Sequence, residues 1–183
     1  MKIALSLPPP MKKPRLIILD RDGVINEDSP HFIKSPAEFV PIPGSFDAIA
    51  QLKAQGLLVA VATNQSGLAR GLFTKATLQA IHHKLPPLDY LAYCPHGPED
   101  HCDCRKPKPG LLLTICQALK IDIADALFVG DSFRDYEAAH AINMRFALVL
   151  TGKGNETLQT HPEIFNKTNA YKDLNDLTQH LSA

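Results

Sequence analysis

"RLIILDRDGVIN", residues 15–26, runs four apolar residues straight into two acids and a glycine. A short, continuous, branched apolar run bounded by turn residues predicts a strand buried on both faces, the kind found in parallel sheets. Strand alternation places Asp20 and Asp22 on one side, with Arg21 pointing away. Gly23 then permits a turn with dihedrals that other residues avoid. Two close carboxylates repel each other unless a cation or a shared proton compensates, so the pair implies a function.

The same pattern recurs outward from this stretch. "LLVAVATN" (57–64), "YLAYC" (90–94), "ALFVG" (126–130) and "RFALVL" (145–150) are further apolar runs. Between them lie segments with helical spacing at 45–56, 74–85, 110–120 and 133–142, and a last helix is expected near 174–181. Alternating strands and helices predict an α/β fold, a doubly wound, Rossmann-like parallel sheet with helices on both faces. A single domain over residues 15–183 is expected, preceded by a disordered leader over 1–14 that ends in three prolines, Met11 and a basic pair. Ligands of such sheets gather at the carboxyl ends of the strands. Asp20, Thr63–Asn64, Cys94 and Asp131 all fall there.

Bulk composition narrows the classes. The 183 residues are 45% hydrophobic and 21% charged, with zero formal net charge. No global field gathers nucleic acid or an anionic membrane, so any anion must be held locally. No apolar run approaches the roughly 20 residues needed to cross a bilayer. The apolar part of the leader is shorter than the roughly 7–15 residues of a signal-peptide core. A cytoplasmic monomer acting on a small molecule is the expectation, and in a reducing compartment clustered thiols bind metal rather than form disulfides.

Such a cluster occurs in "CPHGPEDHCDCRK" (94–106), which spaces its ligands C-x-H-x5-C-x-C. Cys94, His96, Cys102 and Cys104 make a soft set suited to tetrahedral Zn²⁺. His101 competes with His96, which gives the better symmetry of two paired ligands. Four protein ligands leave no open position for a catalytic water, so the zinc is read as structural. It would fix the base from which Arg105 and Lys106 extend. Cys116, on an apolar helical face, is read as a core cysteine.

"FVGDSFRDYEAA" (128–139) repeats the strand-end acid, with Asp131 after a glycine and Asp135 one helical turn on. Clustered carboxylates of this kind mark metal or acid–base sites. Taken in order, "DRDGVIN" (20–26), "TNQSG" (63–67), "RKPKPG" (105–110) and "GDSFRD" (130–135) resemble the four motifs of the haloacid dehalogenase superfamily of phosphohydrolases. The resemblance covers about residues 15 to 155. It implies that Asp20 is a nucleophile forming an aspartyl-phosphate and that Asp22 is the general acid, then base. It also implies Mg²⁺ held by Asp20, the main-chain carbonyl of Asp22, and Asp131. Elementary chemistry agrees: an anionic phosphate repels a carboxylate nucleophile until cations neutralise both. Lys106 offers positive charge, and the Thr63 hydroxyl and Asn64 N–H offer neutral donors.

Superfamily members usually carry a cap domain, but the motif intervals of about 40 residues are already filled. A capless enzyme is expected, its pocket shaped by the flap 26–39 and the zinc loop. Two capless families with zinc loops resemble the chain. The heptose 1,7-bisphosphate 7-phosphatases of lipopolysaccharide precursor synthesis do so through the long run "TNQSGLARGLFT" (63–74), and the histidinol-phosphatases through the short zinc loop. The longer match favours the first. On that resemblance Asp28, Ser29, Pro30, His31, Thr63, Asn64, Gln65, Ser66, Arg105 and Lys106 would bind the sugar phosphate. A polynucleotide 3′-phosphatase would share the chemistry, but the chain has no basic stripe.

Overall fold

The computed structural model describes residues 13–165 and 169–182. The expected leader lies outside them except for its last two positions. Strand β1 is Leu16–Leu19, and all four of its side chains are buried. Their alternation feeds two separate cores. Leu16 and Ile18 face one cluster, and Ile17 and Leu19 face the other. A strand apolar on both faces needs cover on both, which is why this short segment decides the architecture.

Five more strands follow: β2 (Leu58–Asn64), β3 (Tyr90–Cys94), β4 (Ala126–Gly130), β5 (Arg145–Val149) and β6 (Ala170–Tyr171). They form one parallel sheet in the order β3-β2-β1-β4-β5-β6. Helices α1 (Ser45–Ala54) and α6 (Leu174–Ser182) cover one face through Ile49, Leu52, Leu174 and Leu177. On the other face, α3 (Gly110–Leu119) and α4 (Phe133–His140) contribute Leu112, Ile115, Ala138 and Ala139. Helix α2 (Lys75–His82) is capped by the Thr74 hydroxyl, which accepts from the Thr77 N–H at 3.1 Å. Its Ile81 packs on Ile33 and Phe39 and so anchors the flap.

This is the doubly wound parallel sheet expected from the sequence. The chain runs outward from β1 to β2 and β3, then returns to add β4 on the other side of β1. The crevice at this change of direction lies beyond the carboxyl ends of β1 and β4, where ligands bind in open sheets.

Two elements lie outside the expected pattern: α5 (Gly154–Thr160) and β6. The polar "GNETLQT" has no apolar periodicity to reveal it. It is tied down instead by the Thr157 hydroxyl, which donates to the Asp131 carbonyl at 2.9 Å. Arg21 also departs from expectation. Regular strand geometry stops at Leu19, so alternation does not extend to Arg21, whose side chain is wholly buried. Among the described residues, no helix is long and apolar enough to cross a membrane.

Candidate active site

Asp20 follows β1, Asp131 follows β4, and Asp135 lies in the first turn of α4. One oxygen from each of these carboxylates lies within 4.8 Å of the other two. Lys106 enters from the loop after β3 and is 2% exposed. Its Nζ stands 2.9 Å from Asp20 Oδ1 and 2.7 Å from Asp135 Oδ1, and donates to the Ala62 carbonyl at 3.0 Å. Those contacts use all three N–H donors of the ammonium. Asp20 Oδ1 accepts a further bond from the Arg21 backbone N–H at 2.7 Å.

Burial pushes Asp20 up to about 7; Lys106 opposes the shift, while Asp135 and Asp22 add to it. Asp131 rises to about 8, chiefly through burial and then through repulsion from Asp135 and Asp20. At Lys106 burial acts against the charge, but Asp135 and Asp20 together outweigh it, and the net shift is upward. Three carboxylates around one ammonium leave uncompensated negative charge in a buried place. An all-oxygen donor set with that charge fits a hard divalent cation such as Mg²⁺.

The backbone is shaped around Asp131. Gly23 and Gly152 both have positive φ, 86° and 54°, and a Cβ on either would collide with the Asp131 carboxylate. The Lys153 N–H donates to Asp131 Oδ2 at 2.8 Å. Asp135 Oδ2 accepts from the backbone N–H and hydroxyl of Ser132 at 3.1 and 2.7 Å, which caps α4 while it aims Oδ1 at Lys106.

Asp22 stands apart from the three clustered acids. Arg21 Nε and Nη2 donate to its two oxygens at 3.0 and 3.1 Å, Asn26 Nδ2 donates at 2.9 Å and Gln65 Nε2 at 3.1 Å. Arg21 therefore folds beneath Asp22 rather than away from it. Gln65 Nε2 also donates to the buried Thr63 hydroxyl at 2.9 Å. The Asn64 side chain makes a reciprocal pair with the Lys106 backbone, donating to its carbonyl and accepting from its N–H, both at 3.1 Å. The end of β2 thereby sets the position of Lys106.

The four acids, Lys106, Thr63, Asn64 and Gln65 line a cavity of about 270 Å³. Asp28, Ser29 and Pro30 join from the flap, and Ser66 and Arg105 complete the residues expected from sequence, with one exception. His31 is exposed and lies off the lining, while its neighbours Phe32 and Ile33 are on it. Arg70, Ser132, Arg134 and Lys153 also line the cavity and were missed from sequence. The first three sit inside or beside the motifs, which was the available signal; Lys153 offered none. Its Nζ pairs with Asp28 Oδ2 at 3.3 Å.

Cys94, His96, Cys102 and Cys104 converge in the neighbouring loop. Five of the six pairs of ligand atoms lie 3.3 to 3.7 Å apart. Ligands about 2.3 Å from a tetrahedral zinc would be spaced by roughly 3.7 Å, whereas bonded sulfurs would lie at about 2.05 Å. The set fits zinc, and all the cysteines are free thiols. His96 joins the cluster and His101 does not. Arg105 Nη1 donates to the His96 carbonyl at 3.2 Å, so the loop holds this guanidinium directly. Burial, then the nearby Arg134 and further Arg70, pull the Arg105 pKa down.

A parallel sheet with acids at the ends of its two central strands, and a lysine seated among them, defines a hydrolase of the haloacid dehalogenase-like class. Residues 103–177 match the family model described as "HAD-hyrolase-like". A D-glycero-beta-D-manno-heptose-1,7-bisphosphate 7-phosphatase from Pseudomonas putida is 54% identical over 153 residues, covering 79% of this chain and 87% of the relative. The Neisseria meningitidis protein of the same name is 44% identical over 176 residues, covering 91% and 94%. The D,D-heptose 1,7-bisphosphate phosphatase of B. bronchiseptica, in a crystal structure with magnesium and phosphate, superposes with a TM-score of 0.86 at 45% identity. That match covers 92% of this chain and 98% of the other. The chain belongs to the D-glycero-beta-D-manno-heptose-1,7-bisphosphate 7-phosphatase family, and it is a phosphatase.

Proposed function

We propose that the enzyme removes the 7-phosphate of D-glycero-D-manno-heptose 1,7-bisphosphate, as a cytoplasmic monomer in lipopolysaccharide precursor synthesis. The β anomer is the one for which its relatives are named. The observation that carries the chemistry is the Lys106 ammonium seated between Asp20 and Asp135, beside Asp131.

Asp20 Oδ1 is occupied by Lys106 and a backbone N–H, so Oδ2 is the attacking atom. It forms a bond to phosphorus as the bond from phosphorus to the sugar oxygen breaks. Asp22 gives its proton to that oxygen, then takes one from the water that attacks the aspartyl-phosphate. Inorganic phosphate leaves and Asp20 is restored. Mg²⁺, held by Asp20, Asp131 and the Asp22 carbonyl, supplies the charge that lets an anionic carboxylate meet an anionic phosphate. Lys106 holds Asp20 in place and favours its ionised form against the burial that opposes it, and the Thr63 hydroxyl lies within the cavity as a donor to phosphate. Zn²⁺ in the Cys94, His96, Cys102 and Cys104 site holds the loop that carries Arg105 and Lys106.

Histidinol phosphate, whose leaving group carries an ammonium and an imidazole, is disfavoured by the flap. Asp28 is already paired with Lys153, and Glu27 is exposed and off the cavity lining. The test is phosphate release from both substrates, side by side, with Mg²⁺ present. The bisphosphate should be preferred by at least tenfold in kcat/KM, and equal or reversed preference would refute the assignment. Asp20→Asn should lower turnover by roughly three orders of magnitude, as loss of a nucleophile does; substantial retained turnover would remove Asp20 from that role.

A further inference from the structure

The floor of the cavity is acidic, but its mouth is basic. Arg70, Arg105 and Arg134 all line it, and among the described residues no carboxylate pairs with any of them. They come from three separate places: the turn after β2, the zinc loop, and the first turn of α4. Arg105 is tied to the His96 carbonyl. The Arg70 guanidinium lies over the Phe32 ring, 5.8 Å from its centroid. Phe32 itself holds φ at 65°, a left-handed conformation that bulky residues rarely adopt. Such strain persists only where the surroundings impose it, and it collects at ligand clamps.

We propose that Arg70 and Arg134 join Arg105 in a clamp for the second, non-reacting phosphate of a bisphosphorylated sugar, and that these two residues set the preference for bisphosphates. The proposal rests on the bisphosphatase reading above. A guanidinium presents a planar fork of donors that matches phosphate oxygens. Three such forks without anionic partners repel one another, and a phosphate dianion between them relieves that repulsion. The same groups stay unpaired when a monophosphate binds, which is how a polar site rejects a substrate lacking one group. The clamp also fixes which end of the substrate reacts, because the phosphate held at the mouth cannot reach Asp20.

Arg70 and Arg134 are exposed, so their substitution should leave the fold intact. The experiment uses Arg70→Gln and Arg134→Gln in the full-length enzyme with its metals. It compares kcat/KM for heptose 1,7-bisphosphate with that for glucose 6-phosphate, which has no second phosphate. Loss of one charge-assisted contact should lower the ratio of the two by roughly 10- to 100-fold in each variant. Glucose 1-phosphate, a probe for the mouth alone, should inhibit the parent competitively and inhibit the double variant much more weakly. A ratio that stays unchanged, or equal losses on both substrates, would overturn the clamp while the substrate assignment stands. A parent enzyme that does not prefer the bisphosphate would overturn both.

Discussion

Asp20 and Asp131, raised to about 7 and about 8 chiefly by burial, are partly protonated at neutral pH unless a cation replaces those protons. Both values lie above the ordinary carboxylate 3.8, so the folded, metal-free protein binds more protons than free carboxylates would. A cation must displace those protons. Mg²⁺ affinity should therefore rise as pH climbs through 7 and 8 and level off above, with fewer protons released per ion at the alkaline end. Calorimetry in two buffers of different ionisation enthalpy measures both quantities; a flat affinity over that window would mean the cation binds elsewhere. The acids themselves were legible, because each ends an apolar run. The orientation of Arg21 was not, since period-two alternation holds only while the strand lasts, and β1 stops two residues earlier. Arg70 and Arg134 are marked in sequence only by their nearness to the motifs and Lys153 not at all, and the packed sheet is what brings the three to one cavity.

The loop that gathers Cys94, His96, Cys102 and Cys104 runs directly into Arg105 and Lys106, so its shape bears on the site. Residues 95–104 contain no strand or α-helix, only the short turn Pro98–Asp100, and offer little apolar surface to hold them. Gln65 N–H donates to the Cys94 carbonyl at 2.8 Å, and the loop then leads directly to Lys106. About one zinc per chain should be found after purification, since four protein ligands close the site. Stripping it with a chelator under reducing conditions should lower both the melting temperature and the turnover, and zinc, rather than added Mg²⁺, should restore them. Full activity and unchanged melting in zinc-free protein would show that the loop holds its shape unaided. Most other elements could be read from sequence, because each strand is an apolar run and each main helix has an apolar stripe. Helix α5 and strand β6 could not: their place is set by tertiary bonds such as Thr157 to Asp131, which no local pattern encodes.

At the scale of the molecule, floor, mouth and flap are all built from one copy of the chain, and among the described residues no cap domain joins them. Specific activity should then be independent of enzyme concentration, with sedimentation reporting a monomer across the assay range. A drop in activity on dilution would require a second copy to complete the cavity. The strand order has a further consequence, for how the protein is made. The central strand β1 begins at Leu16, while its second neighbour β4 begins only at Ala126. On a ribosome adding roughly 5–20 residues per second, β1 waits on the order of ten seconds with one edge unpaired. An open, wholly apolar edge is the part of a nascent sheet most prone to wrong pairing. Asp20 thus leaves the exit tunnel before the other acids of the cluster, yet it meets Asp131 only when more than half of the chain has followed. Stalled or truncated products ending before β4 would carry Asp20 on a sticky, half-formed sheet, and they are the species that quality control must clear.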